Sequence, residues 1–141
     1  MLYKTKKYAV VGHPIKHSKS PIIHQSFAKE FGLDLSYDQV DITPQFFSRE
    51  IQNLKEQGYL GVNVTLPFKK DAFNLCDELS KKSKLTESVN TLSFKGNKCL
   101  GDSTDGIGLI EDLRKKNIKL DGAKILLLGA GGAANGVTFD L

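Results

Sequence analysis

Apolar and polar positions along the chain fall into two alternating rhythms. Short aliphatic or β-branched runs over Lys7–Gly12, Leu35–Asp41 and Tyr59–Val64 predict strands. Between them the apolar residues recur at helical spacing, with Ile23, Phe27 and Phe31 on one face and Phe47, Ile51 and Leu54 on another. Each helix opens on a hydroxyl followed by proline, Ser20-Pro21 and Thr43-Pro44. Ser20 reads as the N-cap, with Pro21 at the first helical position, where no N–H is needed. Each helix closes at a glycine, Gly32 or Gly58. Strand, helix, strand, helix, strand in this order predicts right-handed crossovers and a parallel sheet covered by helices on both faces.

The third strand stops at Pro67, which cannot donate to a ladder. A helical stretch then turns Ala72, Phe73 and Cys76 inward. Ser88–Phe94 pairs with Cys99-Leu100 across the turn Lys95-Gly96-Asn97-Lys98, a hairpin signal. A further helix begins at Asp105 and carries Leu109, Ile110 and Leu113 to Lys116. After a linker at Asn117–Gly122 the pattern changes. Ala123–Leu128 is a nearly continuous apolar run, read as a strand, and it enters Gly129-Ala130-Gly131-Gly132-Ala133 and the start of a helix. Strand, glycine turn and helix start are the context in which such a string suits a pyrophosphate. The fold class expected is therefore α/β, a mainly parallel open sheet with helices on both faces. It is followed by the first β-strand and glycine loop of a Rossmann domain.

Composition narrows the partners. Twenty basic against 16 acidic side chains leave a net charge of +4, with the lysines scattered except around Lys81–Lys84. Such a run is a solvated face, so no nucleic-acid partner is expected. Cys76 and Cys99 stand in no metal or redox spacing, and reduced thiols in the cytoplasm follow. No metal is expected. The apolar run Tyr8–Val11 is too short for a signal segment or a membrane span.

Ligands of open parallel sheets sit at the carboxyl ends of the strands. Thr65 and Lys69 follow such an end, offering a hydroxyl and an ammonium. The helix opening at Ser20 points free N–H groups at the same rim, and Ser18 and Ser20 beside them suit a carboxylate. Asp105 serves equally as a helix cap or as a site residue.

Taken together, five strings resemble the shikimate dehydrogenase family: Gly12–Pro21, Gly61–Lys69, Val89-Asn90-Thr91, Gly101–Gly106 and Gly129–Ala133. They stand in the family's order and spacing. The resemblance implies a substrate-binding domain over residues 1–105, a connecting helix and linker over 106–122, and the start of an NADP-binding Rossmann domain over 123–141. It implies an oxidoreductase of aromatic amino-acid (chorismate) biosynthesis that reversibly reduces 3-dehydroshikimate to shikimate with NADPH, as a monomer or homodimer. Carried over by position, Ser18 and Ser20 hold the substrate carboxylate, and Thr65, Asn90 and Asp105 bond the ring hydroxyls. Lys69 is the catalytic lysine, also in contact with substrate and paired with catalytic Asp105. Gly129, Ala130, Gly131, Gly132 and Ala133 form the pyrophosphate loop. Three positions depart from the family's pattern: Ser103 where asparagine is usual, Glu87-Ser88 where Gly-Ala is common, and Asn135 in place of a frequent basic residue. The family runs to about twice this length, in keeping with two domains of ordinary size. Two alternatives stand beside this reading: a truncated, non-catalytic substrate-binding module, and a quinate/shikimate dehydrogenase relative.

Overall fold

The computed structural model describes residues 5–141. Its elements, in chain order, begin with β1 (Lys6–Gly12), α1 (Ser20–Glu30) and β2 (Leu35–Asp41). A single 3-10 turn, Pro44–Phe46, leads into α2 (Phe47–Glu56), then β3 (Tyr59–Val64) and α3 (Lys69–Leu75). The short β4 (Glu78–Leu79) and α4 (Lys81–Thr86) precede the hairpin β5 (Thr91–Lys95) and β6 (Lys98–Asp102). The chain closes with α5 (Asp105–Lys115) and α6 (Gly132–Thr138).

The strands form one sheet in the order β2-β1-β3-β5-β6-β4. The β1–β2, β1–β3 and β4–β6 pairs are parallel, while β5 runs antiparallel to both β3 and β6. Alternation decides what each face buries. Ala9 and Val11 of β1 lie level with Val62 and Val64 of β3, and this face receives Phe47, Ile51 and Leu54 of α2 with Ala72 of α3. Phe68 is fully buried here and stacks on Phe47 at 4.6 Å between ring centroids. Burying such a ring contributes roughly 1.5–3 kcal/mol. Gly61 is required by contact rather than by a turn, because a Cβ there would meet the carbonyl oxygen of Leu92 at 2.5 Å. The turns work as the sequence predicts: Gly32 and Gly58 both take positive φ directly after α1 and α2.

Three local expectations are corrected. Ser20 is not the N-cap of α1 but its first helical residue; Lys19 holds the cap position with no side-chain cap bond. The Ser20 N–H donates instead to Ser18 Oγ at 3.3 Å. Asp105 likewise begins α5, one residue after the cap position at Thr104. The stripe of Ile23, Phe27 and Phe31 is exposed, and the buried residue of α1 is Ala28. The helix is seated through His24 and Ala28, four apart, with the His24 ring stacked on Tyr37 at 4.2 Å. The largest correction concerns residues 123–128, which form no strand. A ladder needs a neighbouring edge, and among the described residues none lies alongside this run, so Leu126 and Leu128 stand 83% and 86% exposed. The following glycines do lead into a helix, α6, as expected.

Candidate active site

The exits of β1 and β3 are laced together by their backbones. Thr65 N–H donates to Val11 O at 3.0 Å, His13 N–H to Leu66 O at 3.0 Å, and Phe68 N–H to Thr65 O at 3.0 Å. With Phe68 locked in the core, α3 must start at a fixed place, and its first residue is Lys69. On the other side Asn90 bridges two strands: Val64 N–H donates to Asn90 O at 2.7 Å and Asn90 N–H to Asp102 O at 3.1 Å. Val89 N–H donates to Lys69 O at 3.1 Å, tying the two segments directly. Three residues beyond Asp102, Asp105 opens α5 toward the same point.

Lys69 Nζ and Asp105 Oδ2 stand 2.5 Å apart, the side chains 12% and 25% exposed. An ion pair this sheltered is screened less than a surface pair and is held by more than its own charges. Asn90 Nδ2 donates to Asp105 Oδ1 at 2.8 Å and to Thr104 Oγ1 at 3.0 Å. The other end of that amide accepts from Thr104 N–H at 3.0 Å and from Thr91 Oγ1 at 2.7 Å, which fixes its orientation. The network extends to Asn63, whose Nδ2 donates to Asn90 O and Thr91 Oγ1 at 3.4 Å each. Tyr37 OH closes it by donating to Asn63 Oδ1 at 2.6 Å. Burial pushes the Tyr37 phenol up to about 12, and burial also lowers the pKa of His24 stacked against it. At the rim His13 Nδ1 lies 2.6 Å from Asp41 Oδ1, and this hydrogen bond, ahead of every other influence, holds the Asp41 carboxyl below its ordinary range.

Five of the six residues assigned to substrate, Ser20, Thr65, Lys69, Asn90 and Asp105, line one open cleft of about 490 Å³. Ser18 is not among its walls; its hydroxyl is engaged behind Ser20. The glycine loop lies beside this cleft at one point, where Gly132 sits against the Lys69 side chain and its carbonyl accepts from Ser88 Oγ at 3.0 Å. Gly129, Ala130 and Gly131 are exposed, Gly129 at φ +127° in a conformation L side chains rarely adopt, with open space around it. With nothing within 4 Å of a Cβ at Gly129 or Gly131, this stretch of backbone is open to close approach. Sequence reasoning missed Tyr37, His24, Asn63, Thr91 and Thr104. Asn63 carried a signal, an amide in the middle of an otherwise apolar strand; Tyr37 and His24 carried none, because α1 and β2 meet only in the fold. Among the described residues no group of His, Cys, Asp and Glu gathers as a metal site, and no helix is long and apolar enough to cross a membrane.

An α/β domain whose strand-end cleft sets an ammonium–carboxylate pair among amides and hydroxyls is built to receive a small polar molecule. Residues 10–92 match the family described as the shikimate dehydrogenase substrate binding domain, and the chain belongs to that family. The chain is 48% identical over 136 residues to the shikimate dehydrogenase (NADP(+)) of Hydrogenovibrio crunogenus, covering 94% of this chain and 49% of that one. Among solved structures it resembles a shikimate dehydrogenase in complex with NADP+, with a TM-score of 0.91 and 37% identity over 96% of this chain and 47% of the other. It also resembles the Thermus thermophilus shikimate 5-dehydrogenase in complex with shikimate, with a TM-score of 0.89 and 33% identity over 96% and 51%. The chain thus spans about half the length of the curated relatives it matches.

Proposed function

We propose that this chain is the shikimate-binding part of an NADP-dependent shikimate dehydrogenase of the cytoplasm. Residues 1–105 would be the substrate domain, the first four lying outside the described residues; 106–122 connect it to the start of a nucleotide-binding domain at 123–141. The observation that carries the reading is the 2.5 Å Lys69–Asp105 pair at the centre of the cleft. The family match and the relatives' names supply the substrate and cofactor.

The residues divide the work by chemical type. Ser20, in the first turn of α1, faces the substrate carboxylate with its hydroxyl, and Ser18 sets that turn by accepting the Ser20 N–H. Thr65 and Asn90 meet ring hydroxyls, and a site that bonds several hydroxyls rejects analogues lacking them. Bound NADPH would supply the hydride, with the backbone of Gly129–Ala133 resting against its pyrophosphate. Reducing a ketone leaves charge on its oxygen, and the Lys69 ammonium is positioned to give that oxygen a proton. Asp105 and, through it, Asn90 hold the lysine in place. In the reverse direction the neutral amine accepts the proton again.

Titration of the 141-residue chain with shikimate, followed by amide NMR, tests the reading. Shifts at Thr65, Lys69, Asn90 and Asp105 are expected to saturate, and Lys69→Ala to weaken binding by about tenfold, the loss of one charge-assisted hydrogen bond. No shift at these amides up to millimolar shikimate would sink the assignment. Hydride transfer needs a held nicotinamide, and the exposed glycine loop gives it no enclosing wall among the described residues. Shikimate oxidation by this chain alone is expected to be negligible.

A further inference from the structure

Cys76 and Cys99 play no part in the cleft, yet the fold brings them together. Cys76 ends α3, and its Sγ donates to Ala72 O at 3.0 Å. The sulfur lies over β6, since a Cβ on Gly101 would meet it at 2.4 Å, and Cys99 is two residues from Gly101 on the same strand face. The parallel β4–β6 register, Glu78 opposite Leu100, brings the preceding segment alongside Cys99. Two bonds lock it there, Asp77 N–H to Cys99 O at 2.9 Å and Cys99 N–H to Asp77 Oδ2 at 2.7 Å. Cys99 belongs to the main core cluster and Cys76, partly buried, packs against it.

The two thiols differ in character. Hydrogen bonding with Cys76, ahead of burial and the Asp77 charge that oppose it, lowers the pKa of Cys99, and the Lys55 charge helps. The neighbouring Cys99 sulfur, and then burial, hold the Cys76 thiol above its ordinary value. Cys99, only 6% exposed, also borders a cavity. A polar cavity of about 240 Å³ between α2 and the β5–β6 hairpin is walled by Ser48, Gln52, Lys55, Asp77 and Asn97 and reaches Cys99. It lies at the opposite end of β6 from Asp105.

We propose that Cys76 and Cys99 are a hydroperoxide-reactive dithiol site, Cys99 attacking and Cys76 resolving the product to an intramolecular disulfide. The Cys99 thiolate attacks one peroxide oxygen, forming S–O and breaking O–O, and the released oxygen leaves as water after taking up a proton. The Cys76 sulfur then attacks the Cys99 sulfenic acid, forming S–S and breaking S–O, and a second water leaves with the Cys76 proton. Two thiols lose two electrons and hydrogen peroxide is reduced to two waters. The site is independent of the shikimate reading, and neither outcome below bears on the cleft.

The test is to expose the folded 141-residue chain to hydrogen peroxide, block free thiols under denaturing conditions and read masses. The expected product has lost two hydrogens, escapes alkylation at both cysteines, yields a Cys76–Cys99 linked peptide and reverts with dithiothreitol. In Cys76→Ser, dimedone should trap a sulfenic acid at Cys99. In Cys99→Ser, labelling of Cys76, which the cavity does not reach, should be at least about tenfold slower, since access sets thiol reactivity. Full alkylation of both cysteines after peroxide, or links only between chains, would overturn the proposal. Equal labelling of the two variants would overturn the roles. The wild-type measurement decides the site even if a serine variant fails to fold.

Discussion

Two short aliphatic runs meet opposite fates in this molecule. Ala9, Val10 and Val11 are at most 3% exposed, while Ile125, Leu126, Leu127 and Leu128 range from 39% to 86%. The first run lies between β2 and β3 and is in register with both, whereas the second has no strand beside it among the described residues. Hydrophobicity asks for burial, but a strand also needs edges on which to place its N–H and C=O groups. The comparison separates what a run of aliphatic residues can specify by itself from what only its neighbours can supply.

The sharpest way to break this contrast is to truncate one large apolar side chain to alanine in each region. Phe68→Ala, which empties the stacked centre of the core, is expected to cost about 3–5 kcal/mol in urea unfolding, whereas Leu126→Ala stays within about 0.5 kcal/mol. Equal losses would mean that residues 123–128 are packed after all. Adding matter should give a smaller difference of the same sign. Gly61→Ala drives a methyl against the Leu92 carbonyl and is expected to cost about 1–3 kcal/mol, but Gly131→Ala meets nothing within 4 Å and should be close to neutral.

Titration sharpens the comparison within the packed half. The folded Tyr37 phenol ionises at about 12, above its ordinary 10.0, so the stability it contributes is complete below pH 10 and is lost as pH rises through 12. Tyr59 behaves alike, pushed up to about 12 first by burial and then by its bond to Asp38. Tyr37→Phe should therefore reduce, but not abolish, the fall in urea midpoint over this window; an unchanged slope would place Tyr37 in solvent. The smallest effect belongs to Asp41. Its folded pKa is depressed, so its contribution is present above the ordinary carboxylate value of 3.8 and disappears as pH falls through the lowered one. The small stability gap between wild type and His13→Ala should close over that acid range, and a gap that persisted below it would assign the loss to packing.

How much could be read from the residues follows the same division. Lys69 was legible as a candidate because it follows a strand end marked by Pro67, whereas Asp105 read equally as a helix cap, and only the family resemblance paired the two. Their 2.5 Å meeting depends on Asn90 bridging β3 and β6, a long-range fact that no local pattern contains. The helix α1 was placed correctly, yet its inward face was not. His24 outranks three larger apolar residues because Tyr37 offers it a ring to stack on. Cys76 and Cys99 fit no spacing motif, and only the parallel β4–β6 register makes them neighbours.

The clamp on Asn90 has a consequence for which side chain that position tolerates. Its amide nitrogen faces Asp105 at 2.8 Å, while its oxygen is held by Thr104 and Thr91. Replacing that amide with a carboxylate would swap a donor for an anion beside an anion, forcing the pair apart or making it capture a proton. The backbone bonds that bridge the strands do not use that side chain, so Asn90→Asp would keep the shape of the molecule while its lysine faced two competing carboxylates.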